Sequence, residues 1–101
     1  TQVRKYLLQA PPAEWIELNV LAQQLNMSEA TVRRRLNNEG CNYQQLKNDI
    51  RRDTAIELLT KTDKPLHEIS DELNFHDPSA FHRAFKKWTG LSPGAYRQSK
   101  E

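Results

Sequence analysis

Residues 74–97, NFHDPSAFHRAFKKWTGLSPGAYR, decide the reading of the chain, because they open a helix, close it and charge one of its sides. Asp77 offers an oxygen to the orphan N–H groups of a first helical turn, and Pro78 directly after it sacrifices no hydrogen bond. Gly90 marks the stop, since glycine takes the left-handed conformation that ends a helix. Between these marks Phe81, Phe85 and Trp88 recur at i, i+4 and i+7 and define one buried face, with Ala84 beside it. At about 100° per residue, Ser79, Arg83 and Lys86 lie opposite that face, and Ala80, His82 and Lys87 flank it. Such a helix packs with one side and presents cations with the other.

The 101 residues suffice for one domain with a modest core, but not for a large enzymatic cleft. Glycine is scarce and apolar residues recur at helical spacing without sustained alternation, which predicts an all-α fold. Fifteen Lys and Arg stand against 13 Asp and Glu, a net charge of +2 that says less about partners than its distribution does. No stretch is apolar enough for a membrane span or a signal peptide, and a lone Cys41 forms no internal disulfide, so a reducing, cytoplasmic setting is expected. The chain begins at Thr1 without an initiator Met and is read as a piece of a longer protein.

Upstream, Val3, Tyr6, Leu7 and Ala10 predict an amphipathic first helix stopped by Pro11 and Pro12, after which Trp15 and Ile16 dock on the core. Leu18, Leu21, Ala22 and Leu25 predict a second helix ending at Asn26. Ser28 and Glu29 read as the cap and acidic first turn of a third helix, which runs to Glu39 and is stopped by Gly40. Val32 and Leu36 mark its buried face; Ala30, Arg34 and Asn37 point away, with Thr31 and Arg33 on the flanks. Two short helices joined by so tight a turn suggest a helix-turn-helix. Asn42 with Gln45 resembles a capping box for a long helix to about Thr60, carried by Leu46, Ile50, Ala55, Leu58 and Leu59. Leu66, Ile69 and Leu73 mark a fifth helix bearing Glu68, Asp71 and Glu72, an unsuitable surface for an anionic partner. Ser92 and Pro93 start a seventh helix through Tyr96.

An internal repeat ties these elements together. Shifted by 48, Leu18, Leu21, Ala22, Leu25, Asn26 and Met27 fall on Leu66, Ile69, Ser70, Leu73, Asn74 and Phe75; with one inserted residue, Val32, Arg34 and Leu36 fall on Phe81, Arg83 and Phe85. Asn at both turns has a physical reason, being among the few non-Gly residues that tolerate the left-handed region. The major groove of DNA admits one helix, whose outward side chains read base edges. Arg33, Arg34, Arg35, Arg83, Lys86 and Lys87 lie on the third and sixth helices, so the small net charge hides two basic surfaces. The long helix, about 18 residues or about 27 Å, is compatible with major-groove faces about 34 Å apart.

The pattern LAQQLNMSEATVRRRL, then AIELL, then I-S-x-x-L-N-F followed by FHRAFKKWTGLSPGAYR, resembles the DNA-binding domain of AraC/XylS-type bacterial transcription regulators over nearly the whole chain. The resemblance implies seven helices in two helix-turn-helix subdomains, residues 1–41 and 61–101, joined by a linker helix at 42–60. It implies base-reading positions at Ala30, Thr31, Arg33 and Arg34 and at Ser79, Ala80, His82 and Arg83. Lys86 and Lys87 lie nearer the C-terminal half of their helix, where a helix entering the groove by its N-terminal residues meets the backbone, so they are expected on phosphates, as are Ser28 and Asn37. Asn26 and Asn74 stand where Gly is common in the family, and Ala30 is small where some members carry a large side chain. The implied partners are double-stranded DNA in the nucleoid and RNA polymerase; no cofactor is implied, and any small-molecule effector would bind a sensor or dimerisation domain outside this chain. The isolated chain is expected to be a monomer using both units on one asymmetric site.

Other readings carry less. The arginines could be a solvated face, His67 and His76 read as structural, and the aromatic set is core by its spacing rather than a stacking platform. A DNA-repair methyl acceptor would hold a reactive cysteine on zinc, but one Cys and three scattered His do not offer the ligands. No Gly-rich phosphate loop, H-E-x-x-H pattern or nucleophile elbow appears, so no catalysis and no metal are expected. A helical domain that binds only proteins is the remaining alternative.

Overall fold

The structure, a computed structural model, describes residues 2–99, and these form seven α-helices, one 3-10 turn at Pro12–Glu14 and no strand. The helices are α1 (Gln2–Gln9), α2 (Leu18–Gln24), α3 (Glu29–Asn38), α4 (Tyr43–Lys61), α5 (Leu66–Glu72), α6 (Pro78–Thr89) and α7 (Pro93–Ser99). Two compact units result, Thr1–Ile50 and Arg51–Glu101, with the boundary inside α4. The long helix is therefore shared: Tyr43, Leu46 and Ile50 of its first half belong to one core, Ala55 and Leu59 of its second half to the other.

In the first unit Val3 and Leu7 of α1, Leu18, Leu21 and Ala22 of α2, and Val32 and Leu36 of α3 close around that first half of α4. The segment between α1 and α2 is tied down by polar atoms as well as by burial. The Trp15 indole N–H donates to the carbonyls of Leu7 at 3.2 Å and Ala10 at 3.0 Å, satisfying orphan groups at the end of α1. The Tyr43 hydroxyl donates to Ile16 O at 2.7 Å, and burial, with Tyr6 and Glu17 nearby, pushes that phenol up to about 12.

In the second unit Ile69 and Leu73 of α5 and Phe81 and Phe85 of α6 pack on Ala55 and Leu59. Full burial of side chains as large as Phe81 and Phe85 contributes about 1.5–3 kcal/mol each. The rings form a chain of tilted contacts, Phe75 to Phe81 at 5.5 Å, Phe75 to Trp88 at 6.0 Å and Phe81 to Phe85 at 5.8 Å, ending edge-on at Tyr96, 5.3 Å from Phe85. Arg97 donates to Leu59 O at 3.0 Å and Thr62 O at 3.3 Å, closing the C-terminal end of α4. That anchor, with Ser99 Oγ donating to Tyr96 O at 2.8 Å, accompanies an α7 that runs to Ser99 rather than stopping at Tyr96.

Candidate nucleic-acid interface

Each unit holds its outward helix by the same local device. At the end of α2, Met27 N donates to Ala22 O at 2.9 Å and Asn26 N to Gln23 O at 3.1 Å; at the end of α5, Phe75 N donates to Ser70 O at 3.0 Å and Asn74 N to Asp71 O at 3.1 Å. These paired bonds are the Schellman arrangement, with Asn as the left-handed residue: φ is 59° at Asn26 and 63° at Asn74. The cap of the following helix repeats too. Ser28 Oγ accepts from Thr31 N at 3.1 Å, and Asp77 Oδ1 accepts from Ala80 N at 2.7 Å. The shift is 48 residues through the turn and 49 from the cap onward, the extra residue being His76. Ser70, fully buried, donates its hydroxyl to Asp77 O at 3.2 Å; its counterpart Ala22 has no such group. Behind the second turn, the Arg51 guanidinium lies 4.5 Å over the Phe75 ring and donates to Leu73 O at 3.5 Å, and burial lowers its pKa.

Both outward helices end on a left-handed glycine. Gly40, at φ 80°, closes α3 with Cys41 N donating to Leu36 O at 3.0 Å, and Gly90, at φ 86°, closes α6 with its N–H donating to Lys86 O at 2.7 Å. Cys41 itself is half-buried, its thiol 3.5 Å from Leu36 O. Among the described residues no group of three or more His, Cys, Asp or Glu is placed to hold a metal ion, and no helix is long and apolar enough to cross a membrane.

On α3, Ala30, Arg33, Arg34 and Asn37 are exposed together with the cap Ser28. Thr31 is half-buried and its hydroxyl lies 2.7 Å from Ser28 Oγ, so these two act as one polar corner at the helix start. Arg33 is held by Glu29: Nη2 to Oε1 is 2.6 Å and Nε to the same oxygen 3.2 Å. Arg34 has no ion pair or side-chain hydrogen bond among the described residues. Arg35 turns elsewhere, lining an apolar recess of about 270 Å³ with Val3, Leu25, Met27, Val32 and Leu36. Asn37 stands beside Arg33 at a smaller recess of about 70 Å³ that Tyr43 also lines.

On α6, Ser79, His82, Arg83, Lys86 and Lys87 are exposed and Ala80 is half-buried against its cap. Arg83, Lys86 and Lys87 likewise carry no ion pair among the described residues, and the two lysines occupy the last turn, where the helix dipole favours cations. By contrast Glu68, Asp71 and Glu72 are exposed on α5, with Glu72 paired to Lys64. Sequence periodicity placed Ala30, Arg34, Asn37, Ser79, Arg83 and Lys86 outward, and all six are exposed; of the flanking positions Thr31 and Ala80 are half-buried, and the exposed Arg35 and Asn38 were not among those read as outward. It missed the Arg33–Glu29 pair, although the spacing of four on one helix could have revealed it. It also missed Arg51, whose position four residues before Ala55 puts a cation on the apolar stripe and signals a structural role.

A tandem helix-turn-helix with two outward helices bearing unpaired cations defines the class: a DNA-binding domain. Residues 21–99 match the family described as "Helix-turn-helix domain". The chain is 43% identical over 99 residues to the Ornithine utilization regulator of Pseudomonas aeruginosa, covering 98% of this chain and 29% of that protein. Its fold matches the C-terminal domain of AraT, a response regulator from Geobacillus stearothermophilus, at TM-score 0.87 and 32% identity, over 97% of this chain and 82% of that one. It also matches the DNA-binding domain of AdpA, described as the global transcriptional factor and solved in complex with a target DNA, at TM-score 0.82 and 29% identity, over 97% and 88%. The chain belongs to the AraC-type helix-turn-helix family of DNA-binding transcription regulators. It spans under a third of the length of the first curated relatives it matches.

Proposed function

We propose that this domain binds double-stranded DNA by setting α3 and α6 into major grooves, and that it directs a bacterial transcription regulator to its operator. The observation that carries this reading is the repeated frame: the same Schellman turn, the same cap and the same outward Arg occur twice, and Arg34 and Arg83 both lack an intramolecular ion pair among the described residues. A cation held out from a rigid helix with no competing carboxylate is available to guanine O6 and N7 or to a phosphate. The DNA-bound AdpA domain supports the choice of ligand.

Base contacts are assigned to Ala30, Thr31, Arg33 and Arg34 in the first unit and to Ser79, Ala80, His82 and Arg83 in the second. Phosphate contacts are assigned to Ser28, Asn37, Lys86 and Lys87. The chain acts as a monomer on one asymmetric site, in the cytoplasm at the nucleoid, and RNA polymerase is the protein partner of the assembled regulator. A sensor or dimerisation domain, with any effector site, belongs to the remainder of the regulator.

Titration of labelled random duplex at several salt concentrations tests the reading, followed by selection of bound duplexes from a random pool. Binding should weaken with salt at a slope of about 0.9 per phosphate contacted, and selection should return one asymmetric motif. Absence of salt-sensitive binding would leave the protein-only alternative.

A further inference from the structure

Resting on the reading that α3 addresses DNA, we infer that Glu29 is a specificity-determining positioning residue that acts through Arg33. It holds the Arg33 guanidinium toward a base edge and withholds it from the phosphates. Oε1 of Glu29 accepts from both Nε and Nη2 of Arg33, at 3.2 Å and 2.6 Å. Those donors lie along one edge of the guanidinium, so the other edge, Nη1 with the second Nη2 proton, stays free as a parallel pair. A parallel pair of donors is what guanine O6 and N7 accept.

Charge points the same way. A carboxylate in the first turn of a groove-entering helix is favoured by the helix dipole, but it opposes binding to a polyanion. Paired at 2.6 Å, Glu29 also offsets part of the field that Arg33 would exert on a phosphate. The side chains remain 40% and 63% exposed respectively, so the pair stands in the solvent that DNA would displace rather than in the core. The second unit supplies an internal comparison. The shift of 49 that aligns the caps sets Pro78 and His82 at these two positions, so the ring of His82 has no carboxylate partner of this kind. The first unit therefore reads with an arginine held from behind, the second with an unrestrained histidine beside Arg83.

The test is a set of affinities for the 101-residue chain, measured by fluorescence anisotropy on the selected duplex, its single-base-pair variants and random duplex, with folding checked by circular dichroism. Arg33→Gln should lower discrimination at one base pair by about 5- to 150-fold. Glu29→Gln should lower it at the same base pair by about two- to fivefold, since the coupling of an exposed i, i+4 pair alone is about twofold. It should also tighten random-duplex binding and steepen the salt slope by about 1. Glu29→Asp keeps the charge on a shorter arm, so it should lose discrimination while the salt slope stays near the parent value. In the Arg33→Gln background, Glu29→Gln should change discrimination no further. The inference is overturned if Glu29→Gln leaves discrimination intact, alters a different base pair, or acts equally in both backgrounds. A parent chain that binds DNA while Arg33→Gln preserves every base preference overturns this inference alone; a parent chain that binds no duplex overturns the reading beneath it.

Discussion

Replacing Arg83 by Ala separates base reading from phosphate clamping. Arg83 is exposed, points away from the Phe81 and Phe85 face, and has no ion pair among the described residues. Its removal therefore leaves no orphaned partner in the fold, and because Ala is at least as good a helix former as Arg, stability should change by no more than about 0.5 kcal/mol. In the base-reading role proposed for Arg83, the expected loss on DNA is two hydrogen bonds to one guanine, about 1–3 kcal/mol, or about 5- to 150-fold in Kd. That loss should be confined to the duplex carrying the guanine, because random duplex presents it only by chance. Lys86, one turn further along α6, supplies the comparison: Lys86→Ala should weaken all duplexes alike and shallow the log-affinity versus log-salt slope by about 0.9. Between 50 and 200 mM salt that slope change amounts to about 3.5-fold. Anisotropy titrations at three salt concentrations, on selected, singly substituted and random duplexes, read both quantities. If Arg83→Ala weakened all three duplexes equally while Lys86→Ala altered base preference, the two roles would be reversed.

Three further outcomes follow from the geometry. Asp77→Ala removes the 2.7 Å cap bond to Ala80 N and should cost about 0.5–2 kcal/mol in denaturant melts, as should Ser28→Ala at the start of α3. Asn74→Ala should destabilise by about 1 kcal/mol because an ordinary side chain resists φ 63°, whereas Asn74→Gly should stay within a few tenths; equal effects would show that backbone strain is not what the turn selects. The Tyr43 phenol is neutral in the fold up to about pH 12 against about 10 when unfolded, so the stability it contributes is full below pH 10 and is lost as pH rises toward 12. Tyr43→Phe should flatten that alkaline loss in pH-dependent melts while costing about 1 kcal/mol at neutral pH through the missing bond to Ile16 O.

Features that act within about four residues of their cause can be read along the chain before it folds. Asp77 and Ser28 satisfy N–H groups three positions on, and Gly40, Gly90, Asn26 and Asn74 set their own φ, so seven helices and both turns were legible with ends displaced by a few residues. Outward positions were legible because a helix of fixed period turns the buried face Phe81–Phe85 into a statement about Arg83, and Val32–Leu36 into one about Arg34. Contacts between distant parts of the chain are set by packing in three dimensions. Arg97 reaches carbonyls 38 and 35 residues away, Tyr43 one 27 residues away and Arg51 one 22 residues away, and no local pattern encodes which buried carbonyl lacks a partner. The division of α4 between two cores is of the same kind: its apolar residues read as one continuous helix, and what each half is buried against depends on elements packed from before and after it. The identity of Arg33's partner was within reach of a helical wheel, but whether that side chain curls back to Glu29 or extends toward solvent is a choice among rotamers, and rotamers are selected by contacts in three dimensions.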